Sequence, residues 1–227
     1  MKNPFKELTK FELWLWIVSA VVVCASFAFS PDKDPMTLCA SLIGVTALIF
    51  IAKGYVVGQA MCIGFSVLYG IISFRYSYYG EMITYLCMST PIAVAAVISW
   101  IRHPYKDTPE VTVSRVTKKQ IAIAVLLTVT VTFAFYFILR VLGTANLVFS
   151  TVSVATSFLA AYLTFLRSPY YGLAYGANDI VLIVLWVLAA IEDISYLPMI
   201  FCFIMFLAND IYGFLNWSRM RKRQEIA

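Results

Sequence analysis

The chain has 227 residues, of which 62% are hydrophobic and 13% are charged, and its formal net charge is +5. Soluble domains are about 45–50% apolar and about 25% charged, so this composition excludes an ordinary soluble protein. A transmembrane β-barrel is excluded as well, because the apolar runs are continuous and do not alternate with polar residues. The sequence therefore predicts an all-α, polytopic integral membrane protein.

Eight apolar stretches are long enough to be transmembrane helices, each of which needs about 20 residues. They are residues 11–29, 36–52, 54–74, 82–101, 121–142, 147–165, 171–190 and 196–217. The basic residues before the first stretch also fit a signal peptide, but its apolar run exceeds the usual length of about 7–15 residues. Residues 1–35 are therefore predicted to contain an extra N-terminal membrane helix.

Eight helices would divide the basic residues unevenly between two faces. The richer face collects 14 of the 17: Lys2, Lys6, Lys10, Lys53, Arg102, Lys106, Arg115, Lys118, Lys119, Arg167, Arg219, Arg221, Lys222 and Arg223. The other face keeps Lys33, Arg75 and Arg140, together with Asp32, Asp34, Glu81, Glu192 and Asp193. By the positive-inside rule, both termini are predicted to lie in the cytoplasm, with the helices in the cell inner (plasma) membrane.

Two capping boxes mark predicted helix starts, Thr9 with Glu12 and Thr117 with Gln120. The second box ends the longest loop, residues 102–119. Residues 110–115 within this loop alternate like a short strand, but no neighbouring strand is predicted, so the loop is interpreted as an interfacial linker. No metal site and no cofactor are predicted.

The segments on either side of this loop resemble each other. Residues 53–102 and 167–219 each begin with a basic residue, continue with a helix carrying Gly and Tyr, and end in Trp-x-Arg, at Trp100 and Trp217. The predicted domains are a first three-helix repeat at 36–101, a loop and linker helix at 102–146, a second repeat at 147–218 and a basic tail at 219–227. Such repeats are typical of secondary transporters, whose substrate site lies near the midplane between them.

Two Asn-Asp pairs fall near the middle of the last two predicted helices, Asn178-Asp179 and Asn209-Asp210. A carboxylate at that depth costs several kcal/mol and marks a functional site by default. No Lys, Arg or His is predicted at the same depth, so the carboxyl groups either stay protonated or await a partner from outside. The alternative is a buried network that only fixes helix packing. The functional interpretation is favoured, and it predicts a cationic ligand.

The neighbouring side chains indicate the shape of that ligand. Aromatic residues suit a flat cationic ring, since a cation over an aromatic face gains about 0.5–2 kcal/mol. Amide and carboxyl groups suit vicinal hydroxyls. The predicted binding residues are Gln59, Tyr69, Thr90, Tyr175, Asn178, Asp179, Trp186, Asn209, Asp210 and Tyr212. The small hydroxyl residues of the sixth helix, Ser150, Ser153, Ser157 and Thr164, are interpreted as packing residues.

Four segments resemble the PnuC family of vitamin transporters: KGYVVGQ, YGIISFRYSYYGEMITY, SPYYGLAYGANDIVLIVLWVLAA and NDIYGFLNW. Together they span most of residues 53–217. The resemblance implies a 3+1+3 helix core similar to SWEET sugar transporters, preceded here by the extra helix. It places the aromatic and amide binding positions of the family at Trp186, Asn178 and Gln59.

The resemblance also implies a function. The expected activity is facilitated uptake of nicotinamide riboside, an NAD precursor, by alternating access without energy coupling. Cytoplasmic phosphorylation by a kinase would trap the substrate. The expected assembly is a small homo-oligomer, a homotrimer, surrounded by membrane lipid, with no nucleic-acid partner.

Other classes of function remain open. Asp179 and Asp210 also suit a proton- or sodium-coupled transporter of another aromatic vitamin or nucleoside, such as thiamine. A membrane enzyme is not favoured, because the sequence has no HExxH, Walker or GxSxG motif. A purely structural or receptor role would predict no uptake at all.

Overall fold

A computed structural model of the chain describes residues 4–29, 34–75, 79–144 and 146–226. Within this part, eight helices are long and apolar enough to cross a membrane. They are α1 (Lys10–Phe29), α2 (Pro35–Ala52), α3 (Val56–Arg75), α4 (Tyr79–Ile101), α5 (Lys118–Val141), α6 (Leu147–Phe165), α7 (Tyr171–Glu192) and α8 (Leu197–Ile226). The predicted all-α class and helix count are confirmed. Lys2, Asp32 and Lys33, which entered the charge comparison, lie outside the described residues.

Among the helix ends that differ from the prediction, those of α4 and α8 matter most. Helix α4 begins at Tyr79, three residues before the predicted start, which places Glu81 inside the helix instead of in a loop. Helix α8 continues to Ile226, nine residues beyond the predicted end at Trp217. Residues 218–226 are mostly long polar side chains with good helix propensity, so the helix continues past the apolar run. The predicted basic tail is therefore largely part of α8.

The predicted capping boxes are both present. Thr9 N donates to Glu12 Oε2 at 2.6 Å and Glu12 N donates to Thr9 Oγ1 at 3.3 Å. Thr117 N donates to Gln120 Oε1 at 2.9 Å, and Gln120 N donates to Thr117 Oγ1 at 3.3 Å. These bonds satisfy backbone N–H groups that the first helical turn leaves without partners.

Six helices form a ring in the order α2, α3, α4, α6, α7, α8, because each packs on the next and α8 returns to α2. Helix α1 covers the outside of α2 and α8, and α5 packs mainly against α6. Most side chains of α5 are exposed, as expected for a helix that faces lipid. The ring lets polar side chains face its centre instead of hydrocarbon.

Two buried tryptophans join a first unit, α2–α4, to a second unit, α6–α8. Trp100 on α4 donates its indole N–H to Thr164 O on α6 at 3.0 Å, and Trp217 on α8 donates to Ile51 O on α2 at 2.8 Å. Both tryptophans are fully buried, and their ring centroids lie 5.2 Å apart. The last helix of each unit thus binds the first helix of the other.

The residues next to these tryptophans repeat the exchange. Ser99 Oγ donates to Phe165 O, and Asn216 Nδ2 donates to Ala52 O, each at 2.9 Å. In both exchanges the two donors are 117 residues apart in sequence and the two acceptors are 113 residues apart. Two units related by a twofold axis would produce this equivalence, so it supports the predicted repeat.

The loop before α5 crosses the end of α2 and the end of α6, the first helices of the two units. These helices are followed by Gly54 (φ 71°) and Arg167 (φ 58°), both left-handed. Val111 N donates to Gly54 O at 2.9 Å, and Ser114 N donates to Arg167 O at 3.0 Å. Gln224 on α8 donates from Nε2 to Val111 O at 3.1 Å. The expectation that the segment 110–115 finds nothing nearby to pair with is wrong, because its backbone bonds to the two helix ends and to residues 103–105 of the same loop.

Candidate functional site

A cavity lies at the centre of the ring, and all six helices of the ring contribute side chains to its lining. It encloses about 1040 Å³ of empty space, including its opening. Small-molecule sites commonly lie between the helices of a bundle, so this space is the candidate site.

Half of the predicted binding residues line this cavity. They are Gln59 on α3, Tyr175, Asn178 and Asp179 on α7, and Asp210 on α8. Helix α3 is far from α7 and α8 in sequence, and the ring brings the three together. The geometry therefore collects an amide pair, a phenol and two carboxyl groups around one space.

The carboxyl groups of Asp179 and Asp210 are almost fully buried, at 2% and 3% exposure. They lie close enough to interact directly. Helices α7 and α8 approach closely at Gly172, where an added Cβ atom would lie 2.5 Å from the backbone carbonyl oxygen of Asp210. Asp179 Oδ2 has no hydrogen-bond partner in the described part of the chain. Two neighbouring buried carboxyl groups oppose each other's ionisation, so protonation of one depends on that of the other.

The charged lining of the cavity is entirely acidic over the described residues. It consists of Glu81, Asp179 and Asp210, and no Lys, Arg or His of those residues lines the space. The ion pairs found in the same residues involve none of the three acids. A cavity of this kind favours a positively charged ligand, because the buried carboxylates lack a counter-ion.

A π-helical turn, Thr84–Ser89, shapes the α4 side of the cavity. Pro91 follows it, and a proline removes one backbone N–H and crowds the carbonyl four residues earlier. The wider turn accommodates the proline, and Thr90 Oγ1 donates to Tyr85 O at 2.8 Å. Tyr85 and Ser89 line the cavity, whereas the predicted Thr90 supports the turn from behind. π-Turns occur frequently at functional sites.

Two other predicted residues lie beside the cavity without lining it. The ring of Tyr69 lies 4.4 Å from that of Tyr85, between centroids. Trp186 is one turn beyond the lining residue Leu182, buried, with its ring centroid 5.6 Å from that of Tyr196. Its indole N–H has no hydrogen-bond partner within the described ranges. Binding roles for Tyr69 and Trp186 stay predictions.

The remaining two predicted residues face α1. Asn209 Nδ2 donates to Ser19 Oγ at 3.0 Å, and Tyr212 OH donates to Glu12 Oε1 at 2.8 Å. Glu12 also pairs with Lys53, with an N–O distance of 3.1 Å. In this arrangement Asn209 and Tyr212 attach α1 to the ring, and their binding roles also stay predictions.

Several lining residues carried no sequence signal. Phe65 and Phe206 are ordinary apolar residues of membrane helices. Glu81 fell outside the predicted span because that span began at residue 82. Ser153, Ser157 and Thr164, interpreted as packing residues, line the cavity instead.

A ring of transmembrane helices around a central cavity with buried carboxyl and amide groups is the arrangement of a membrane transporter. A solved structure described as "Crystal structure of the Vitamin B3 transporter PnuC" matches with a TM-score of 0.82 and 26% identity, over 96% of this chain and 94% of that one. The "Nicotinamide riboside transporter PnuC" of Neisseria mucosa is 28% identical over 98% of this chain and 86% of its own length.

The sequence model of a family described as Nicotinamide mononucleotide transporter matches residues 34–219. The chain belongs to this family, the PnuC family, and is a multi-pass membrane protein. These relatives confirm the predicted family and the prediction of a transporter rather than an enzyme.

Proposed function

We propose that this chain carries nicotinamide riboside across the cell inner membrane. The observation that carries the proposal is the acidic cavity, in which a buried oxygen of Asp179 has no partner in the described residues. Nicotinamide riboside is a pyridinium cation joined to a ribose, so it supplies the missing positive charge. The relative from Neisseria mucosa is named for this substrate.

The lining suggests how the substrate lies. Its positive ring belongs next to Asp179 and Asp210, with Tyr175 beside it. Its ribose hydroxyls belong next to Gln59 and Asn178, whose amides both donate and accept hydrogen bonds. Trp186 stacks on the ring only if its indole turns into the cavity, and that movement breaks no hydrogen bond of its N–H in the described residues.

Transport is proposed to proceed by alternating access between the two three-helix units, with both termini in the cytoplasm and without energy coupling. A cytoplasmic kinase then traps the substrate, because a phosphate carries about −1.5 to −2 charges at pH 7 and an acidic cavity repels it. Assembly as a homotrimer in the lipid bilayer is part of the same proposal. Reporter fusions at both ends test the orientation. Activity, at either end, of a reporter that works only outside the cytoplasm would contradict it.

Uptake by proteoliposomes tests the substrate. The purified protein is reconstituted and offered radiolabelled nicotinamide riboside, thiamine and deoxynucleosides separately. Saturable uptake of the riboside that stops at equal inner and outer concentrations is the expected result. Failure to take up the riboside, with active uptake of another compound, contradicts the proposal.

A second candidate is a proton-coupled transporter, which the contact between Asp179 and Asp210 favours. A carboxyl pair of this kind can gain and lose one proton during each cycle. In the same proteoliposomes, an imposed pH gradient would then drive accumulation above the outer concentration, and an ionophore would abolish it.

A further inference from the structure

Glu81 is a third carboxyl group in the cavity. It is the third residue of α4, near the face opposite the chain termini, whereas Asp179 and Asp210 lie near the middle of α7 and α8. Over the described residues, it is the only charged side chain that the first unit contributes to the lining. A ligand that enters from the face opposite the termini therefore reaches Glu81 before the aspartates.

Tyr85 lines the cavity one helical turn after Glu81 on α4, in the same lining as Asp179 and Asp210. The ring of Tyr69 packs against that of Tyr85, with 4.4 Å between centroids, and does not itself line the cavity. Because a cation is attracted to an aromatic face, Tyr85 offers a positive ring a favourable neighbour between Glu81 and the aspartates.

Glu81 forms no ion pair in the part of the chain that is described. The residue 117 positions later, which occupies the equivalent place in the second unit, is Pro198. The repeated architecture therefore does not require a carboxyl group there. The unpartnered oxygen of Asp179, 2% exposed, independently indicates that the cavity awaits a ligand.

We infer that Glu81 is a specificity-determining residue, which selects positively charged substrates at one end of the cavity and passes them to Asp179 and Asp210. This inference rests on the proposed uptake of a cationic riboside. It adds a residue outside the predicted binding set and a direction, from the face opposite the termini towards the middle of the membrane.

Initial uptake rates of three variants in proteoliposomes test the inference. Glu81→Gln removes the charge, Glu81→Asp retains it, and Glu192→Gln removes an exposed acid at the same face that does not line the cavity. Each variant is measured with nicotinamide riboside and with reduced, uncharged dihydronicotinamide riboside. Melting temperatures in detergent check that every variant is folded.

Glu81→Gln should raise the KM for the cationic riboside about tenfold. This is the size expected for losing one negative charge about 10 Å from the positive ring at an effective dielectric constant of about 20. The KM for the uncharged riboside should change much less. Glu81→Asp should restore most of the loss, and Glu192→Gln should match the wild type. The KM of the wild type for the cation should also rise with ionic strength more steeply than that of Glu81→Gln.

Each other outcome overturns a stated part of the reasoning. Equal losses for both ribosides, or no loss with Glu81→Gln, overturn the role of Glu81 while wild-type uptake upholds the proposed function. Absence of riboside uptake by the wild type overturns the proposed function and, with it, the inference about Glu81.

Discussion

Replacing Asp179 and Asp210 by asparagine tests the attraction between the cavity and a cation. The exchange keeps the shape and polarity of each side chain but removes its charge. A unit charge about 4 Å from a cation contributes about 4 kcal/mol at an effective dielectric constant of about 20. Since a bound cation favours ionisation of one of the two carboxyl groups, the double variant should lose up to this amount of binding free energy.

Each single variant should lose much less. When one aspartate becomes asparagine, the remaining carboxyl group no longer shares a proton and can ionise alone. The expected loss is about 1 kcal/mol, the size of one hydrogen bond. The double-mutant cycle should therefore show strong coupling between the two positions.

Isothermal titration of the purified single and double variants provides the measurement. The ligands are nicotinamide riboside and its uncharged dihydro form, and the difference between them isolates the charge. The uncharged form should lose little affinity even in the double variant. If both ligands lost the same amount, the aspartates would act as hydrogen-bonding or packing groups, and the electrostatic reasoning would be refuted.

Three further predictions concern tryptophans and the attachment of α1. Trp186→Ala should weaken binding of the riboside by about 1–3 kcal/mol, as for loss of one aromatic stack, and Trp186→Phe should cost much less by titration. Trp100→Phe and Trp217→Phe should each lower the free energy of unfolding by about 1–3 kcal/mol, because a buried carbonyl loses its donor. Unequal denaturation midpoints of the two variants would contradict the equivalence of the two tryptophans. Glu12→Gln alone should destabilise the protein more than Glu12→Gln combined with Lys53→Met does, since the single change leaves a partly buried lysine unpaired. The melting temperature of the single variant should therefore be the lower of the two.

Hydropathy located all eight membrane helices because a bilayer requires about 20 apolar residues per helix whatever their order. The same signal failed at Tyr79 and Ile226. It reports where hydrocarbon ends, whereas a helix continues as long as its backbone and side chains allow. The error at Tyr79 mattered most, since it hid Glu81 from the predicted site.

Asp179 and Asp210 could be predicted because a carboxyl group in the middle of a membrane helix is costly and therefore indicates a functional site. Their orientation could be predicted less well. Asn209 and Asp210 are adjacent in sequence, yet successive helical residues point about 100° apart, so Asp210 faces the cavity and Asn209 faces α1. Phe65 and Phe206 could not be distinguished from other apolar residues, because their contribution depends on helix packing alone.

The loop segment that crosses both helix ends sets a limit on how far those ends can separate. Val111 holds the end of α2 through Gly54 O, and Ser114 holds the end of α6 through Arg167 O. The three residues from one anchor to the other reach at most about 10 Å when fully extended. The segment therefore sets the largest separation of the two helix ends. Any wider opening at the face of the termini must first break one of these two hydrogen bonds.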